Sequence, residues 1–237
     1  MKIAVMILAL GVSLFAENIL EQIDRNLTPV SAQMYKKLIN IEPDGSKKEF
    51  LIFQAKKDRD KMISLFLEPD SEKGRATLRL GENMWLYIPN VGRPLRITSM
   101  QSVVGGVFNN ADIMRLDFTT EYDVAKNDKS EAGYTLELKA KNDTVSYDRL
   151  VMKVDGKSMT PTSIECYTST GMLIKTLYYK KLQDFGDKIV RPAVVETVSP
   201  MYKGYKSIMI YGKINPKNFA DEAFTLDKLA KASDLRR

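Results

Sequence analysis

Residues 66–118 read FLEPDSEKGRATLRLGENMWLYIPNVGRPLRITSMQSVVGGVFNNADIMRLDF, and the order of polar and apolar residues in this stretch decides the fold. Residues 75–80 and 84–88 read as strands. Gly81-Glu82-Asn83 separates them as a turn, so the pair reads as a hairpin. Another strand is predicted over 94–100, after the turn Pro89-Asn90-Val91-Gly92-Arg93. In strand 84–88, Met84, Leu86 and Ile88 point to one side and Trp85 and Tyr87 to the other. A strand with one wet face alternates polar with apolar. This one is apolar on both faces.

The preceding strands share that property. Strand 48–57 sets Phe50 and Ile52 against Leu51 and Phe53, and strand 61–67 sets Met62 and Phe66 against Ile63, Leu65 and Leu67. One face packs on a helix or a second sheet. The other either lines a cavity or belongs to a closed sandwich whose edges blur the pattern, and periodicity leaves both open. Strands 147–154 and 172–180 alternate more strictly, as in a sheet with one face towards solvent. Any cavity is therefore lined mainly by the first half of the chain.

Further strands are predicted at 32–41, 117–125, 133–141, 161–168, 188–198 and 205–213, separated by clusters such as Pro43-Asp44-Gly45-Ser46 and Tyr202-Lys203-Gly204. Such spacing without interleaved long helices gives a mainly β fold, an antiparallel barrel or sandwich. Residues 17–27 carry Ile19, Leu20, Ile23 and Leu27 on one stripe, a helix stopped by Pro29. A second short helix is predicted at 226–234, with Thr225 as N-cap. No repeat or linker divides the body.

The chain has 237 residues, one cysteine, no histidine and a formal charge of +6. Ser-His-Asp and Cys-His nucleophile systems and His-ligated zinc are thereby excluded. A lone Cys166 excludes an internal disulfide and any CxxC site; between Ile164 and Tyr167 it reads as a small buried apolar residue. Residues 1–16 have the form of a secretory leader: Lys2, an apolar run from Ile3 to Phe15, then Ala16. That run is too short to span a membrane, which takes roughly 20 apolar residues. The leader is expected to be cleaved near Ala16, leaving 17–237 as a single exported domain. Carboxylates such as Glu68, Glu82 and Asp112 lie at turns without a diagnostic acid–base motif. The positive charge is dispersed, with no basic block except Arg236-Arg237, which argues against nucleic acid.

Several residues are candidates for binding. Trp85 and Tyr87, two apart on one strand face, combine apolar bodies with polar tips and suit either a pocket mouth or a core. Residues 100–108 include Met100, Val103, Val104, Gly105, Gly106, Val107 and Phe108. This apolar, glycine-hinged segment is either a lid or a buried connector. Arg75, Arg79, Arg93 and Arg96 cluster nearby, as headgroup ligands at a rim or as solvent-facing arginines.

Within 66–118 the sequence resembles the outer-membrane lipoprotein-sorting proteins, relatives of the periplasmic lipoprotein carrier LolA. The matching pieces are Glu68-Pro69 to Lys73-Gly74-Arg75, the run GENMWLYIP at 81–89, Gly92-Arg93, Arg96-Ile97, and Gly105-Gly106-Val107-Phe108-Asn109-Asn110-Ala111-Asp112-Ile113. Glu82 stands where the family more often has Asp. The resemblance implies a half-open antiparallel β-barrel, capped by helices, around an apolar cavity for acyl chains. On this reading Leu65, Leu67, Trp85, Tyr87, Met100, Val103, Val104, Phe108 and Ile113 line the cavity or its mouth, and Arg79, Arg93 and Arg96 meet headgroups. The implied function is a periplasmic carrier, a monomer without enzymatic activity, cofactor or metal. Its partners would be lipoprotein or phospholipid acyl chains, an inner-membrane exporter and an outer-membrane acceptor. The alternative is an accessory or sensor domain of an envelope exporter built on the same fold.

Overall fold

The computed structural model describes residues 19–236; the leader read in residues 1–16, and Arg237, lie outside the described residues. Helix α1 covers residues 19–27. Its stripe Ile19, Leu20, Ile23 and Leu27 is buried throughout, as the spacing predicts. Pro29, without an amide hydrogen, ends it.

Thirteen strands follow: β1 (Ala32–Ile41), β2 (Lys47–Lys57), β3 (Lys61–Glu68), β4 (Ala76–Leu80), β5 (Asn83–Tyr87), β6 (Leu95–Ile97), β7 (Tyr122–Ser130), β8 (Gly133–Ala140), β9 (Arg149–Asp155), β10 (Thr160–Tyr167), β11 (Leu173–Asp184), β12 (Val190–Val198) and β13 (Lys206–Pro216). They form one antiparallel sheet in the order β6-β5-β4-β3-β2-β1-β13-β12-β11-β10-β9-β8-β7. The first six strands run outward from β1 to one edge. The chain then crosses to the other edge and returns through β7 to β13, which pairs with β1. The edge strands β6 and β7 do not pair, so the barrel is not closed.

Turn chemistry sets the register. Between β1 and β2, the Asp44 carboxylate accepts the Ser46 amide at 2.8 Å, and Gly45 takes φ +84°, a conformation that favours glycine. Ile41 is thereby paired with Lys47, and Phe53 with Tyr35.

One face of the sheet gathers Leu38, Phe66, Leu136, Leu150 and Val195 into a single apolar cluster with α1. These residues come from strands far apart in the sheet order, so the sheet curls around them and this face is concave. The other face of the first half carries Phe53, Ala55, Ile63, Leu65, Ala76 and Leu78, packed under Phe224, Leu229 and Ala232 of the C-terminal segment. The two-faced strands are explained by this arrangement: one face looks into the barrel, the other is roofed by the chain's end.

Three sequence expectations are corrected, and one element is new. The strand predicted at 94–100 shrinks to the three residues of β6, because Thr98 and Ser99 turn to pair with the chain at Asn110 and Ala111. The strand predicted at 117–125 opens as helix α3 (Phe118–Glu121), since Phe118 and Tyr122 are both drawn inward at helical spacing. Helix α2 (Asn110–Ile113) has no counterpart in the prediction, although Asn109 and Asp112 form a reciprocal capping box that starts it. The C-terminal helix is two pieces, α4 (Leu226–Leu229) and a 3₁₀ segment Ala232–Arg236. Thr225 sits at the N-cap of α4 but makes no capping bond; its hydroxyl donates to the Glu222 carbonyl at 3.4 Å.

Candidate functional site

The concave face is occupied by the crossing between β6 and β7, residues 98–121. Val103, Val107, Phe108, Ile113, Met114, Leu116 and Phe118 are all buried there. Of residues 100–108, Val103, Gly106, Val107 and Phe108 are buried on the concave face, whereas Met100, Gln101, Ser102 and Gly105 are exposed, so the segment dips into the barrel from its surface. It forms a plug, an apolar segment held by the sheet and not part of it.

Polar side chains of the inward strand faces fasten the plug at several points. Lys175 of β11 donates to the Asp112 carboxylate at 2.8 Å and to the Val107 carbonyl at 2.6 Å. Tyr147 donates its hydroxyl to the same carboxylate at 2.9 Å. Lys56 of β2 pairs with Asp117 at 2.6 Å, and Gln54 donates to the Ile113 carbonyl at 2.8 Å. Arg79 of β4 donates to the Met114 carbonyl at 3.0 Å and pairs with Glu121. At the other end Ser207 donates its hydroxyl to Asn40 and accepts the Val107 amide at 2.9 Å, while Asn40 donates to the Val104 carbonyl at 3.2 Å. From α1, Asp24 accepts the Phe118 and Thr119 amides at 2.8 and 2.9 Å. A buried charge is tolerated only when paired and hydrogen-bonded, so each pair depends on the plug being in place.

Ionisation inside follows the same logic. Burial and the neighbouring Asp117 charge push the Asp24 carboxyl up to about 6, against hydrogen bonds from Thr119 and Phe118 that favour its charged form. Burial pushes the Cys166 thiol far up, which leaves it protonated and unreactive. Burial would raise the Tyr211 phenol too, but Lys36 and Arg191 beside it prevail and bring it down to about 8. Asp24, Lys36, Asp112, Arg115, Arg191 and Tyr211 contribute to the walls of an interior cavity of about 50 Å³. A water molecule claims roughly 30 Å³ of liquid volume, so this space takes no acyl chain while the plug is seated.

The residues singled out in the sequence fall on different surfaces. Val103, Phe108 and Ile113 are buried in the concave cluster, with Val104 partly buried against it. Val104 adopts φ +46°, unusual for a β-branched residue. Met100 is exposed at the start of the plug. Leu65, Leu67, Trp85 and Tyr87 lie on the opposite, convex face with the C-terminal segment. Arg79 is neither at a rim nor in solvent: it is buried and fully engaged by Gly81, Met114 and Glu121. Arg93 is exposed in the turn after β5. Arg96 is exposed on β6, directly across from Trp85, and donates to Asn83.

Trp85, Tyr87 and Arg96 do converge, in a cleft of about 610 Å³ completed by Gly92, Pro94, Leu226, Asp227 and Ala230. The fastening residues Gln54, Lys56, Lys175 and Asp24 are not anticipated as a group. Their signal is phase: Gln54 and Lys56 continue the inward face of Phe50 and Ile52, and Lys175 shares a face with Leu177.

Comparison with known proteins places this geometry in a family. No curated protein matches the sequence. Among solved structures, a LolA superfamily protein from Nitrosomonas europaea superposes with a TM-score of 0.80 at 27% identity, covering 90% of this chain and 98% of that one. An outer membrane lipoprotein-sorting protein domain from Vibrio parahaemolyticus gives 0.76 at 17% identity, over 92% and 99% of the two chains. A DUF1329 family protein from Desulfovibrio piger gives 0.77 at 17% identity, over 92% and 98%. The latter two likenesses bear on fold alone. A family model described as that of an uncharacterized protein matches residues 58–231, well over half of the chain. The chain belongs to this family, and its fold is that of the LolA superfamily.

Proposed function

We propose that this protein is a periplasmic carrier that takes the acyl chains of a lipoprotein or lipid into its half-open barrel and moves them between membranes without chemistry. The observation that carries the reading is the plug. The concave face is filled by a connector whose apolar side chains, Val103, Val107, Phe108 and Ile113, are buried; on this reading acyl chains take their place. Its attachment is through side chains and turns, not strand pairing, so it moves without unzipping the main sheet. Burial is worth roughly 0.8 kcal/mol per CH₂, so one acyl chain gains on the order of 10 kcal/mol over water. That gain works against the fastening contacts that are released when the plug moves.

Transfer without chemistry agrees with a sequence lacking histidine and a thiol held protonated by burial. Export by the leader at 1–16 would bring the protein to the compartment where an exporter donates cargo and an outer-membrane acceptor receives it. In that role it acts as a monomer.

Mass spectrometry of organic extracts from the purified protein is the direct test. Co-purified lipid, together with saturable uptake of a fluorescent fatty acid and faster thiol labelling of Cys166 on loading, is the expected result. Absence of all three overturns the reading. A second reading, an accessory or sensor domain of an envelope exporter, is favoured by the number of buried ion pairs that keep the plug seated. A crosslink to a membrane exporter without lipid uptake would select it.

A further inference from the structure

The convex cleft is separate from the barrel interior. One wall is built by β5 and β6, where Trp85 faces Arg96 across the strand pair and Tyr87 lies two residues further on the same side. The other wall is α4, with Leu226, Asp227 and Ala230. At about 610 Å³ the cleft is the size of a small-molecule site.

Its charges are unusual. Arg96 makes no ion pair among the described residues; its guanidinium donates to the neutral Asn83 side chain, which fixes its position. The Asp227 carboxylate has no ion-pair or hydrogen-bond partner among the described residues. The two opposite charges face one space and do not meet. Two aromatic rings, Trp85 and Tyr87, line the same space, and their faces attract cations. Pro94 and Leu226 add apolar surface, and Leu226 is 38% exposed.

We propose that this cleft binds the headgroup of a zwitterionic phospholipid of the phosphoethanolamine type. The phosphate is held by Arg96, whose fork suits phosphate oxygens. The ammonium lies against Trp85 and Tyr87 and is neutralised by Asp227. The first part of the acyl chain runs over Leu226 and Pro94. An anionic lipid would satisfy Arg96 and leave Asp227 repelling it, so the pair of charges selects for a ligand carrying both signs. The site goes beyond the carrier reading and stands without it, since the interior and the cleft are on opposite faces of the sheet.

Trp85 is the only tryptophan in the chain, so its fluorescence reports this cleft alone. The experiment titrates the purified protein with lysophosphatidylethanolamine bearing a brominated chain, and in parallel with the brominated phosphatidylglycerol analogue. Saturable quenching of Trp85, stronger for the ethanolamine lipid, is expected. Asp227→Asn should weaken the ethanolamine lipid about tenfold and leave the glycerol lipid unchanged or tighter, whereas Arg96→Gln should weaken both about tenfold. Both substitutions are at exposed positions, where folding is little affected. Non-saturable quenching, equal affinity for the two lipids, or indifference to both substitutions would overturn the proposal. Chain-free glycerophosphoethanolamine competing as well as the lysolipid would overturn the lipid assignment in favour of a soluble phosphodiester. Cys166 labelling in the same samples reads the interior. Labelling without Trp85 quenching sinks the cleft and spares the carrier; quenching without labelling or co-purified lipid does the reverse.

Discussion

Lys175 of β11 and Asp112 of the plug meet at 2.8 Å, both buried, 63 residues apart in the chain. The ammonium also holds the Val107 carbonyl, and the carboxylate also accepts Tyr147 and lies 3.7 Å from Arg115. This contact ties the returning half of the sheet to the segment that fills it. Lys175→Met leaves Asp112 without its nearest cation. Breaking a buried pair costs roughly 3–5 kcal/mol, and the low end is expected because Arg115 remains. Chemical denaturation measures the loss. Thiol labelling of Cys166 in native buffer should accelerate, and Lys175→Met with Asp112→Asn should recover part of the stability. Labelling as slow as in the unaltered protein would mean that the pair does not hold the plug.

Arg79 and Arg93 lie near each other in the sequence and differ in consequence. Arg79 places one nitrogen on each of three acceptors, the Gly81 and Met114 carbonyls and Glu121. Arg79→Ala strands Glu121 beside Arg115 and is expected to cost about 3 kcal/mol or more. Arg79→Lys keeps a charge for Glu121 but lacks the fork for both carbonyls, so it should cost about half as much. Arg93→Ala, at an exposed turn, should stay within about 0.5 kcal/mol. Denaturation midpoints order the three; a neutral Arg79→Ala would remove that residue from the fastening set.

Gly106 bears on the plug's fit. A Cβ there would overlap the Asn40 carboxamide, which is buried and bonded to both Ser207 and Val104. Asn40 has no free direction to swing. Gly106→Ala should therefore cost about 1–3 kcal/mol by overpacking. The clash is with one side chain, so Asn40→Ala in the same background should relieve it, and the two substitutions should be clearly non-additive in a double-mutant cycle. Additive losses would mean that the plug accommodates the methyl by shifting as a body.

The parts of this design legible in the sequence are those that repeat. Ile19, Leu20, Ile23 and Leu27 announce α1, and the two apolar faces of β2, β3 and β5 show that neither face of this half of the sheet is simply wet. What period cannot supply is which cover goes where. Trp85 and Met84 are equally apolar neighbours, yet one packs towards α4 and the other into the barrel. The plug is harder still. Its helices α2 and α3 are four residues each, too short to show a period, and only the Asn109–Asp112 cap betrays one. Arg79 is readable as an inward residue, since it shares a face with Thr77 opposite Leu78. Its role is not, because its partner Glu121 is 42 residues away in a segment expected to be strand.

Asp24 links α1 to the plug and makes stability depend on pH in an uncommon direction. Its carboxyl is raised in the folded protein from 3.8 to about 6, burial first and Asp117 second. Between those values the folded state holds more proton than the unfolded state. Stability contributed at this site is therefore greatest below pH 4 and falls as pH rises through 6. A rise of that size corresponds to roughly 3 kcal/mol. Most carboxylates that gain partners on folding act oppositely, so the effect is visible as a difference. Asp24→Asn cannot ionise, although its amide must sacrifice one of the Phe118 and Thr119 contacts. Relative to that variant, the unaltered protein should lose advantage from pH 4 to pH 7, as read from urea midpoints across the range. An advantage that grows with pH would mean that the two amides and the Thr119 hydroxyl outweigh burial, and that Asp24 serves as an anionic cap for α3.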